Sequence, residues 1–460
     1  MNTDAVYNKN DAFIRQLFMV LIVSTSFFIN GCINGWITPA LPKLMSGMEG
    51  IKITSNEGSM LALYPEFGHF IAPIPIGLIS DLVGRKPVYI FSGLLALTGW
   101  AFTFFADNIK YLTWARVILG FVFGINCTLG HIYLSEICSK YLRGRFCCMV
   151  FIFNNVGILV QFVIGSYFST KISSLLGFVF AVIFFLQTWF LVESPYYLLS
   201  RKKKVQAKKN FMWLQGILSK GTTEDFKEIV EFVQTRKGFI ESFRNLISKS
   251  NYKGFVLCIL ISFLTDLSGR CPILTYAKEN FVNDNFISAN NFMILLGVFI
   301  VVTGIIPTIL SDKIGRKIAI VTTTAIGCVM QLSTGTLYFL HDEMKIKIFS
   351  YGLLLFITVT GYMACWSIFI ANVLTLRGEL ISNSSRGLAS GFTSMAFAFA
   401  CMISIKMFQV FRDNFGICYG FWTLGIVTFV FALFSWKFLS ETKNLTLREI
   451  QKNLKNSSDA

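Results

Sequence analysis

Two stretches of this sequence, LISDLVGRKP at residues 78–87 and ILSDKIGRKI at residues 309–318, carry the same charged turn. In each stretch an acid is followed by a glycine, an arginine and a lysine, and an apolar run precedes them. The two copies lie about half the chain length apart. A charged turn that recurs at this separation predicts a chain built from two related halves.

The composition of the chain is that of a membrane protein. Of its 460 residues, 54% are hydrophobic and 14% are charged, whereas soluble domains carry roughly a quarter charged residues. A helix needs about 20 apolar residues to cross a bilayer, and 87–106, 172–192, 351–376 and 415–436 carry no charge at all. The sequence therefore predicts an all-α membrane protein with twelve spans. The predicted spans are 14–37, 61–80, 88–106, 111–135, 145–168, 173–193, 254–277, 291–310, 318–340, 347–376, 388–410 and 416–438.

The distribution of charge predicts which side of the membrane each loop occupies. The net charge is +16, and the loop 201–253 opens with four consecutive basic residues. Because Lys and Arg remain on the cytoplasmic side, we expect this loop and both termini to be cytoplasmic in a multi-pass protein of the plasma membrane. Nucleic-acid binding, the other common meaning of a basic chain, is not expected because no soluble basic domain is evident.

The cysteines give no sign of a cofactor. The chain has 11 cysteines, and most of them fall inside apolar spans. This placement predicts small buried side chains rather than a disulfide framework or a metal site. The sequence also lacks a phosphate-binding loop and a nucleophile elbow. We therefore expect neither enzymatic activity nor a cofactor, and the oligomeric state is left open.

Further repeated motifs support the division into halves. The acid and the arginine of SEICSKYLRGR (135–145) recur at the same spacing in GELISNSSRG (378–387), and ESP (193–195) is matched by ETK (441–443). Motifs that recur in the same order on the same side of a membrane are typical of secondary transporters with a mid-membrane site. The predicted domains are a six-helix half at 1–193, a cytoplasmic linker with short helices at 194–253, a second six-helix half at 254–439 and a cytoplasmic tail at 440–460.

The set of motifs resembles the sugar-porter branch of the major facilitator superfamily. The two GRK turns and the ESP and ETK segments are similar to signatures of that branch. GWITPALPKL (35–44) and AKKNFMWLQG (207–216) resemble the insect group of facilitated trehalose transporters. The resemblance covers residues 14–452. It implies twelve helices in two pseudo-symmetric halves, a central cavity, and facilitated or proton-coupled movement of sugars by alternating access.

The charged residues of these motifs are expected to form a cytoplasmic gate. Acid and base on neighbouring helices can pair when the gate is closed and separate when it opens, which requires a contact of only a few kcal/mol. The alternative is that these charges only fix the topology. Arg116 joins the set because it matches the fourth-span pattern of the branch. The predicted gate comprises Asp81, Arg85, Lys86, Arg116, Glu136, Arg143, Glu193, Asp312, Arg316, Lys317, Glu379, Arg386 and Glu441.

The positions that the resemblance assigns to sugar binding carry different residues in this chain. Phe151 stands where the branch has a glutamine in span five, and Leu374 stands where it has a tryptophan in span ten. Span seven reads TDLSGRCP, whereas the resemblance implies two glutamines followed by SGIN. Each sugar hydroxyl left without a partner would cost roughly 1–3 kcal/mol, so a rebuilt pocket is expected. The predicted cavity comprises Thr265, Asp266, Arg270, Cys271, Tyr276, Phe151, Asn155, Gln161 and Leu374.

Charged residues are also expected inside the membrane. Asp266 and Arg270 are four residues apart, which places them on one face of a helix in the favourable order for an ion pair. An intramembrane ion is costly and usually functional; the alternative is a self-neutralising pair that only allows the span to insert. Glu66 and His69 are expected in a wet outer vestibule, and Lys406 is expected to extend toward the outer surface.

The sequence predicts a facilitative transporter of a hexose or a trehalose-like sugar, with the lipid bilayer and this small molecule as its partners. Ile33 stands where proton symporters of the branch carry an acid in the first span, which favours uniport, while Asp266 keeps proton coupling open. The rebuilt pocket also fits a carrier for a different small solute or a non-transporting sensor. The short tail after residue 439 carries no recognisable signalling domain, which argues against a sensor.

Overall fold

The computed structural model describes residues 9–139, 142–217, 224–234, 239–248, 251–281, 288–310, 315–346, 349–380, 386–439 and 441. Its helices fall into two groups joined by a linker. The first group comprises α1 (Lys9–Ser46), α2 (Ser55–Ile71), α3 (Pro73–Val83), α4 (Arg85–Phe104), α5 (Ile109–Ile137), α6 (Arg143–Tyr167) and α7 (Thr170–Thr188). The linker helices are α8 (Pro195–Ser200), α9 (Lys204–Leu214), α10 (Glu224–Gln234) and α11 (Phe239–Ile247).

The second group contains more helices than the first, because its first span is divided into α12 and α13 and the short helix α14 follows it. Its helices are α12 (Tyr252–Leu267), α13 (Arg270–Thr275), α14 (Ala277–Asn280), α15 (Ala289–Leu310), α16 (Arg316–Tyr338), α17 (Tyr351–Leu380), α18 (Arg386–Phe415) and α19 (Ile417–Phe438). A π-helical turn, Phe339–Glu343, continues α16.

The described helices account for the predicted membrane spans. Eleven stretches are long and apolar enough to cross a bilayer, and there are up to 12 if α2 and α3 count as one bent span. The axes of α2 and α3 differ by 48°. The bend falls at Ala72, directly before Pro73, because the proline ring and its missing N–H prevent a regular helix from continuing. The all-α, twelve-span architecture is confirmed.

Span seven is broken one turn earlier than its proline suggests. Pro272 is expected to interrupt the helix, but the interruption lies at Gly269, whose φ of +107° is open to glycine. Helix α12 has already ended at Leu267, and α13 begins at Arg270. Pro272 therefore occupies the first turn of α13, where its missing N–H removes no intrahelical hydrogen bond.

Backbones touch at glycines inside the first half. A Cβ added to Gly31 on α1 would stand 3.0 Å from Gly157 Cα on α6. Helices α2 and α5 approach in the same way, because a Cβ on Gly120 would stand 2.6 Å from Pro65 O. Small residues allow such close approach between membrane helices, where van der Waals contact drives association. These contacts fix α1 against α6 and α2 against α5.

Four short helices lie in the described part of the linker. Helix α9 lies against the start of α1, where Arg15 Nη1 donates to Trp213 O at 3.0 Å and Gln16 Nε2 donates to Leu214 O at 3.1 Å. We call the end of the bundle beside these helices the linker end, and the opposite end the far end. The domain boundaries placed after residues 193, 253 and 439 stay predictions.

The glycine contacts give a test of the packing. Gly157→Ala places a methyl group against the carbonyl oxygen of Phe28, so we expect a loss of about 1–3 kcal/mol of stability. The matched control is Gly77→Ala, because a Cβ at Gly77 meets nothing within 4 Å and alanine favours a helix by up to about 1 kcal/mol. Thermal unfolding of the detergent-purified variants measures both. Equal unfolding temperatures for the two variants would contradict close backbone packing at α1 and α6.

Candidate functional site

A buried arginine organises the linker end of the first half. Arg85 Nε and Nη2 donate to the two carboxylate oxygens of Glu136 at 2.9 and 2.7 Å, and Nη2 also donates to Asp81 at 2.9 Å. Arg85 Nη1 donates to Ser80 O at 2.9 Å. The side chain of Arg85 is only 1% exposed, and the ring of Tyr197 lies 5.6 Å from its guanidinium. A bidentate pair between Arg85 and Glu136 that is shielded from water is both strong and geometrically specific.

A second carboxylate binds the backbone at the same turn. Glu193 Oε1 accepts from the N–H of Arg85 at 3.0 Å, and its Oε2 accepts from the N–H of Lys86 at 3.3 Å. These are free N–H groups at the start of α4, where a negative charge is also favoured by the helix dipole. Lys86 Nζ donates to Trp189 O at 2.7 Å. The ends of α3, α4, α5 and α7 are thus joined around one turn.

The second half repeats this backbone contact. Glu441 Oε1 accepts from the N–H of Arg316 at 2.9 Å, and Oε2 accepts from the N–H of Lys317 at 3.2 Å. An acid that follows the last span of each half therefore binds the first N–H groups of the third span of that half. Asp312 and the side chains of Arg143, Glu379 and Arg386 lie outside the described residues. Their part in a gate stays a prediction.

Arg116 does not belong to the linker-end gate, and its assignment there is wrong. It lies near the start of α5, whereas Glu136 lies at the opposite end of that helix. At about 1.5 Å per residue, the two positions are roughly 30 Å apart along the axis. Arg116 is buried, and it donates to Ile33 O at 2.8 Å and Leu61 O at 3.1 Å. It thus ties α1, α2 and α5 together toward the far end.

A polar network joins the two halves at the far end. Ser55 Oγ, at the start of α2, donates to Asp413 Oδ2 of α18 at 2.6 Å and accepts from Arg412 Nη2 at 3.0 Å. Arg412 Nη1 also donates to Glu279 of α14 at 2.7 Å, and both side chains are largely buried. We call Ser55, Glu279, Arg412 and Asp413 the far-end latch. Burial raises the pKa of Glu279 above its ordinary value, although the Arg412 guanidinium opposes that rise.

Lys406 extends the latch, and its amine reaches toward the far end, the direction expected from the sequence, where it meets the first turn of α2. Its Nζ donates to Gln409 Oε1 at 2.8 Å and to Ser59 Oγ of α2 at 3.2 Å, and it contacts the amide oxygen of Asn56. No sequence pattern points to this network, because its members are distant in the chain and the loops near them are close to neutral. Only the approach of α2 and α18 brings them together.

Asp266 and Arg270 do not form the expected helical ion pair. Gly269 separates α12 from α13, so the regular four-residue geometry is lost and no salt bridge joins the two among the described residues. The guanidinium of Arg270 lies over the ring of Trp366, 4.4 Å from its centroid. Asp266 is fully buried, and neither carboxylate oxygen has a hydrogen-bond partner in the described part of the chain. Burial without partners makes this carboxyl group costly if ionised.

Trp366 is a candidate site residue that the sequence patterns do not reveal. Its indole supports Arg270, and the indole nitrogen is buried without a hydrogen-bond partner among the described residues. The family pattern does not point to this tryptophan, which lies eight residues before the position that the pattern marks. Stacking of a guanidinium on an indole is a favourable contact when both are shielded from water.

The other predicted cavity residues have varied surroundings. Asn155 Nδ2 donates to Ile300 O of the second half at 3.3 Å, so it lies where the halves meet. Gln161 accepts from Ser173 Oγ at 2.5 Å within the first half. Tyr276 is buried at the far end with the guanidinium of Arg412 4.3 Å from its ring centroid. Thr265 is buried with its hydroxyl bonded to the preceding turn, and Phe151, Cys271 and Leu374 are half-buried.

Glu66 and His69 are not in a wet vestibule, and that expectation is wrong. They are 4% and 3% exposed, and His69 Nδ1 lies 3.2 Å from Glu66 Oε2. The ring of His69 contacts Phe123 edge-on, with 4.7 Å between ring centroids. Helix α18 covers this part of α2, since the ring of Phe397 also lies 6.2 Å from that of His69. The pair is therefore enclosed between the halves.

Comparison with known proteins gives a consistent result. The family model described as "Sugar (and other) transporter" matches residues 15–454. The chain is 24% identical to a facilitated trehalose transporter of Apis mellifera ligustica, covering 96% of this chain and 88% of the relative. It is also 24% identical to one of Bombyx mori, covering 96% and 87% of the two chains.

Solved structures share the fold. The inward-open conformation of the xylose transporter XylE from E. coli superposes with a TM-score of 0.77 at 17% identity, covering 95% of this chain and 99% of that one. XylE bound to 6-bromo-6-deoxy-D-glucose superposes with a TM-score of 0.75, also at 17% identity, covering 96% and 99% of the two chains.

The Arg85 cluster predicts unequal effects of two similar substitutions. The Glu136 side chain is 11% exposed and that of Asp81 is 40% exposed. Glu136→Gln removes the buried charge opposite Arg85 and should cost about 3 kcal/mol of stability. Asp81→Asn removes a solvated partner and should cost less than about 1 kcal/mol. Thermal unfolding of the two purified variants compares them directly, and a larger loss for Asp81→Asn would refute this ranking.

Proposed function

Because the chain belongs to the Sugar (and other) transporter family, we propose that it carries a hexose or a trehalose-like sugar across a membrane by facilitated, alternating access. The insect proteins described as trehalose transporters, which align over nearly the whole chain, support the choice of substrate class. In this proposal the protein moves its substrate across the membrane without converting it chemically. It requires no cofactor and no nucleic acid.

The far-end latch is the observation that carries the proposal. It joins α2 of the first half to α18 of the second half, whereas the Arg85 cluster lies within the first half. To open toward the far side, the halves must give up the bonds of Ser55 with Asp413 and Arg412. Hydrogen bonds to charged groups contribute about 1.5–3 kcal/mol each, which is small enough for them to be broken and re-formed in every cycle.

The proposed orientation places the linker end in the cytoplasm. The linker is rich in Lys and Arg, and such segments remain on the cytoplasmic side. Both termini then share that side, and the far-end latch faces the exterior of the cell. Residence in the plasma membrane is part of the proposal.

The proposed substrate site lies at mid-membrane around Asp266, Arg270, Trp366 and Asn155. Asp266 supplies acceptors without partners among the described residues, and sugar hydroxyls are donors that can meet this need. Trp366 offers an apolar face and an indole donor. Asn155 lies at the junction of the halves, where a substrate contact would respond to their movement.

Uptake into proteoliposomes tests the function. We expect labelled trehalose or glucose to equilibrate across the membrane at a rate above that of protein-free liposomes, with no accumulation when a pH gradient is imposed. Accumulation driven by the gradient would instead establish proton coupling. Absence of uptake for every sugar and polyol tested, with folded protein in the liposomes, would contradict sugar transport.

The role of Asp266 has its own test. Asp266→Asn should raise the half-saturating sugar concentration by about tenfold or more, since a lost substrate bond costs roughly 1–3 kcal/mol. The matched control is Asp107→Asn, because that side chain is 84% exposed at the far end and should leave uptake unchanged. Identical uptake curves for Asp266→Asn and the parent protein would show that Asp266 does not bind the substrate.

Cross-linking the latch tests alternating access. In Ser55→Cys/Asp413→Cys, a reducible bis-methanethiosulfonate cross-linker should abolish uptake, and a reductant should restore it, because the halves could no longer separate at the far end. The control pair, Thr334→Cys/Thr358→Cys, joins two hydroxyls 2.9 Å apart within the second half. Uptake by that pair and by the treated parent protein should persist. Full uptake by the cross-linked latch pair would rule out far-end separation as a step.

A further inference from the structure

Three side chains able to bind a metal converge between the two halves. A carboxylate oxygen of Glu66 and the sulfurs of Cys271 and Cys401 all lie within 4.8 Å of one another. Glu66 belongs to α2 of the first half, whereas Cys271 and Cys401 belong to α13 and α18 of the second half. Spans two, seven and eleven of the sequence contribute one residue each, so the sequence alone shows no ligand spacing.

The donor set suits a soft divalent cation. Zn²⁺ binds thiolates at about 2.3 Å and carboxylates at about 2.0–2.2 Å in tetrahedral geometry, which separates ligand atoms by roughly 3.5–3.8 Å. The three ligand atoms lie within 4.8 Å of one another, so a movement of about 1 Å or less would bring them to these tetrahedral separations. Thiolate ligands select zinc-like ions over Mg²⁺ and Ca²⁺, which prefer oxygen. Three protein ligands leave one coordination position open for water.

A neighbouring side chain holds the carboxylate in place. His69 Nδ1 lies 3.2 Å from Glu66 Oε2, and the ring of His69 is itself packed against Phe123. Metal sites commonly use such outer contacts to orient their ligands. Glu66 is 4% exposed and Cys401 is fully buried, so both are held by packing before any ion arrives.

We propose that Glu66, Cys271 and Cys401 form a binding site for Zn²⁺ or a similar soft divalent cation, and that the bound ion stops transport by joining the two halves. On binding, the two thiols release their protons to solvent and the ion forms bonds to both sulfurs and to the carboxylate. Alternating access must change the distance between α2 and the pair α13 and α18, and a shared ion prevents that change. The inhibitory effect rests on the proposed transport function; the metal site does not.

Binding is tested first without transport. Purified protein titrated with Co²⁺ should develop the near-ultraviolet absorption of a thiolate-to-cobalt charge transfer, and Zn²⁺ should displace it. Cys271→Ser and Cys401→Ser should each weaken the absorption strongly. Cys365→Ser is the matched control, because Cys365 is a largely buried cysteine of α17 outside the cluster, and it should leave the spectrum unchanged. If a cysteine variant fails to fold, the cobalt spectrum of the parent protein still tests whether the protein binds the ion through thiolates.

Inhibition is tested next in proteoliposomes. Zn²⁺ should reduce sugar uptake by the parent protein and by Cys365→Ser. Cys271→Ser, Cys401→Ser and Glu66→Gln should each need at least about tenfold more Zn²⁺ for half-inhibition, relative to their own uptake without metal. Glu66→Gln is the decisive variant, since only this ligand comes from the first half.

The outcomes separate the two proposals. A parent protein without the charge-transfer absorption overturns the metal site, as do cysteine variants that keep the full spectrum. Unchanged Zn²⁺ sensitivity in Glu66→Gln overturns the bridge between the halves. A cobalt spectrum that depends on both cysteines, in a protein that takes up no sugar, supports the metal site and overturns the proposed function.

Discussion

The first N–H groups of a helix have no partner within the helix, and where they are buried they must find one elsewhere in the protein; this constraint decides how the third span of each half begins. The free N–H groups that start α4 bind Glu193, and those that start α16 bind Glu441. Each acid follows the sixth span of its own half. One carboxylate therefore satisfies exposed backbone donors, places negative charge at the positive end of a helix, and holds the sixth span beside the third.

The sequence was sufficient for the architecture and for part of the site. Apolar stretches located the spans, and repeated motifs located the linker-end cluster around Arg85. The errors have two causes: membership of a shared motif does not show that residues lie at the same end of the bundle, and sequence spacing does not show whether a helix is continuous. Arg116 belongs to a motif but lies far from the cluster along α5. Asp266 and Arg270 have helical spacing, but the positive φ of Gly269 removes the helix that would have paired them.

The contacts between the halves were beyond the reach of sequence patterns for a different reason. Ser55 and Asp413 come from opposite parts of the chain, and each is an ordinary polar residue near a loop of little net charge. Their meeting depends on how α2 packs on α18, which is a property of the assembled bundle. Trp366 is a similar case, because it became a candidate only when the structure placed the guanidinium of Arg270 over its ring. Repeated motifs predict the contacts that occur in both halves. Contacts between the halves occur once in the molecule, so no repeated motif marks their residues in the sequence.

The glycine contacts inside the first half have a mechanical consequence. Because α1 touches α6 and α2 touches α5 at the level of the backbone, these pairs resist bending and sliding, and the half behaves as a stiff lever. Helix α5 has 29 residues and is about 43 Å long, so a tilt of about 10° about its midpoint moves its two ends roughly 4 Å in opposite directions. A stiff lever with a central pivot closes one entrance whenever it opens the other. Freedom from leakage would then follow from the rigidity of the halves, without a separate device to coordinate the two entrances.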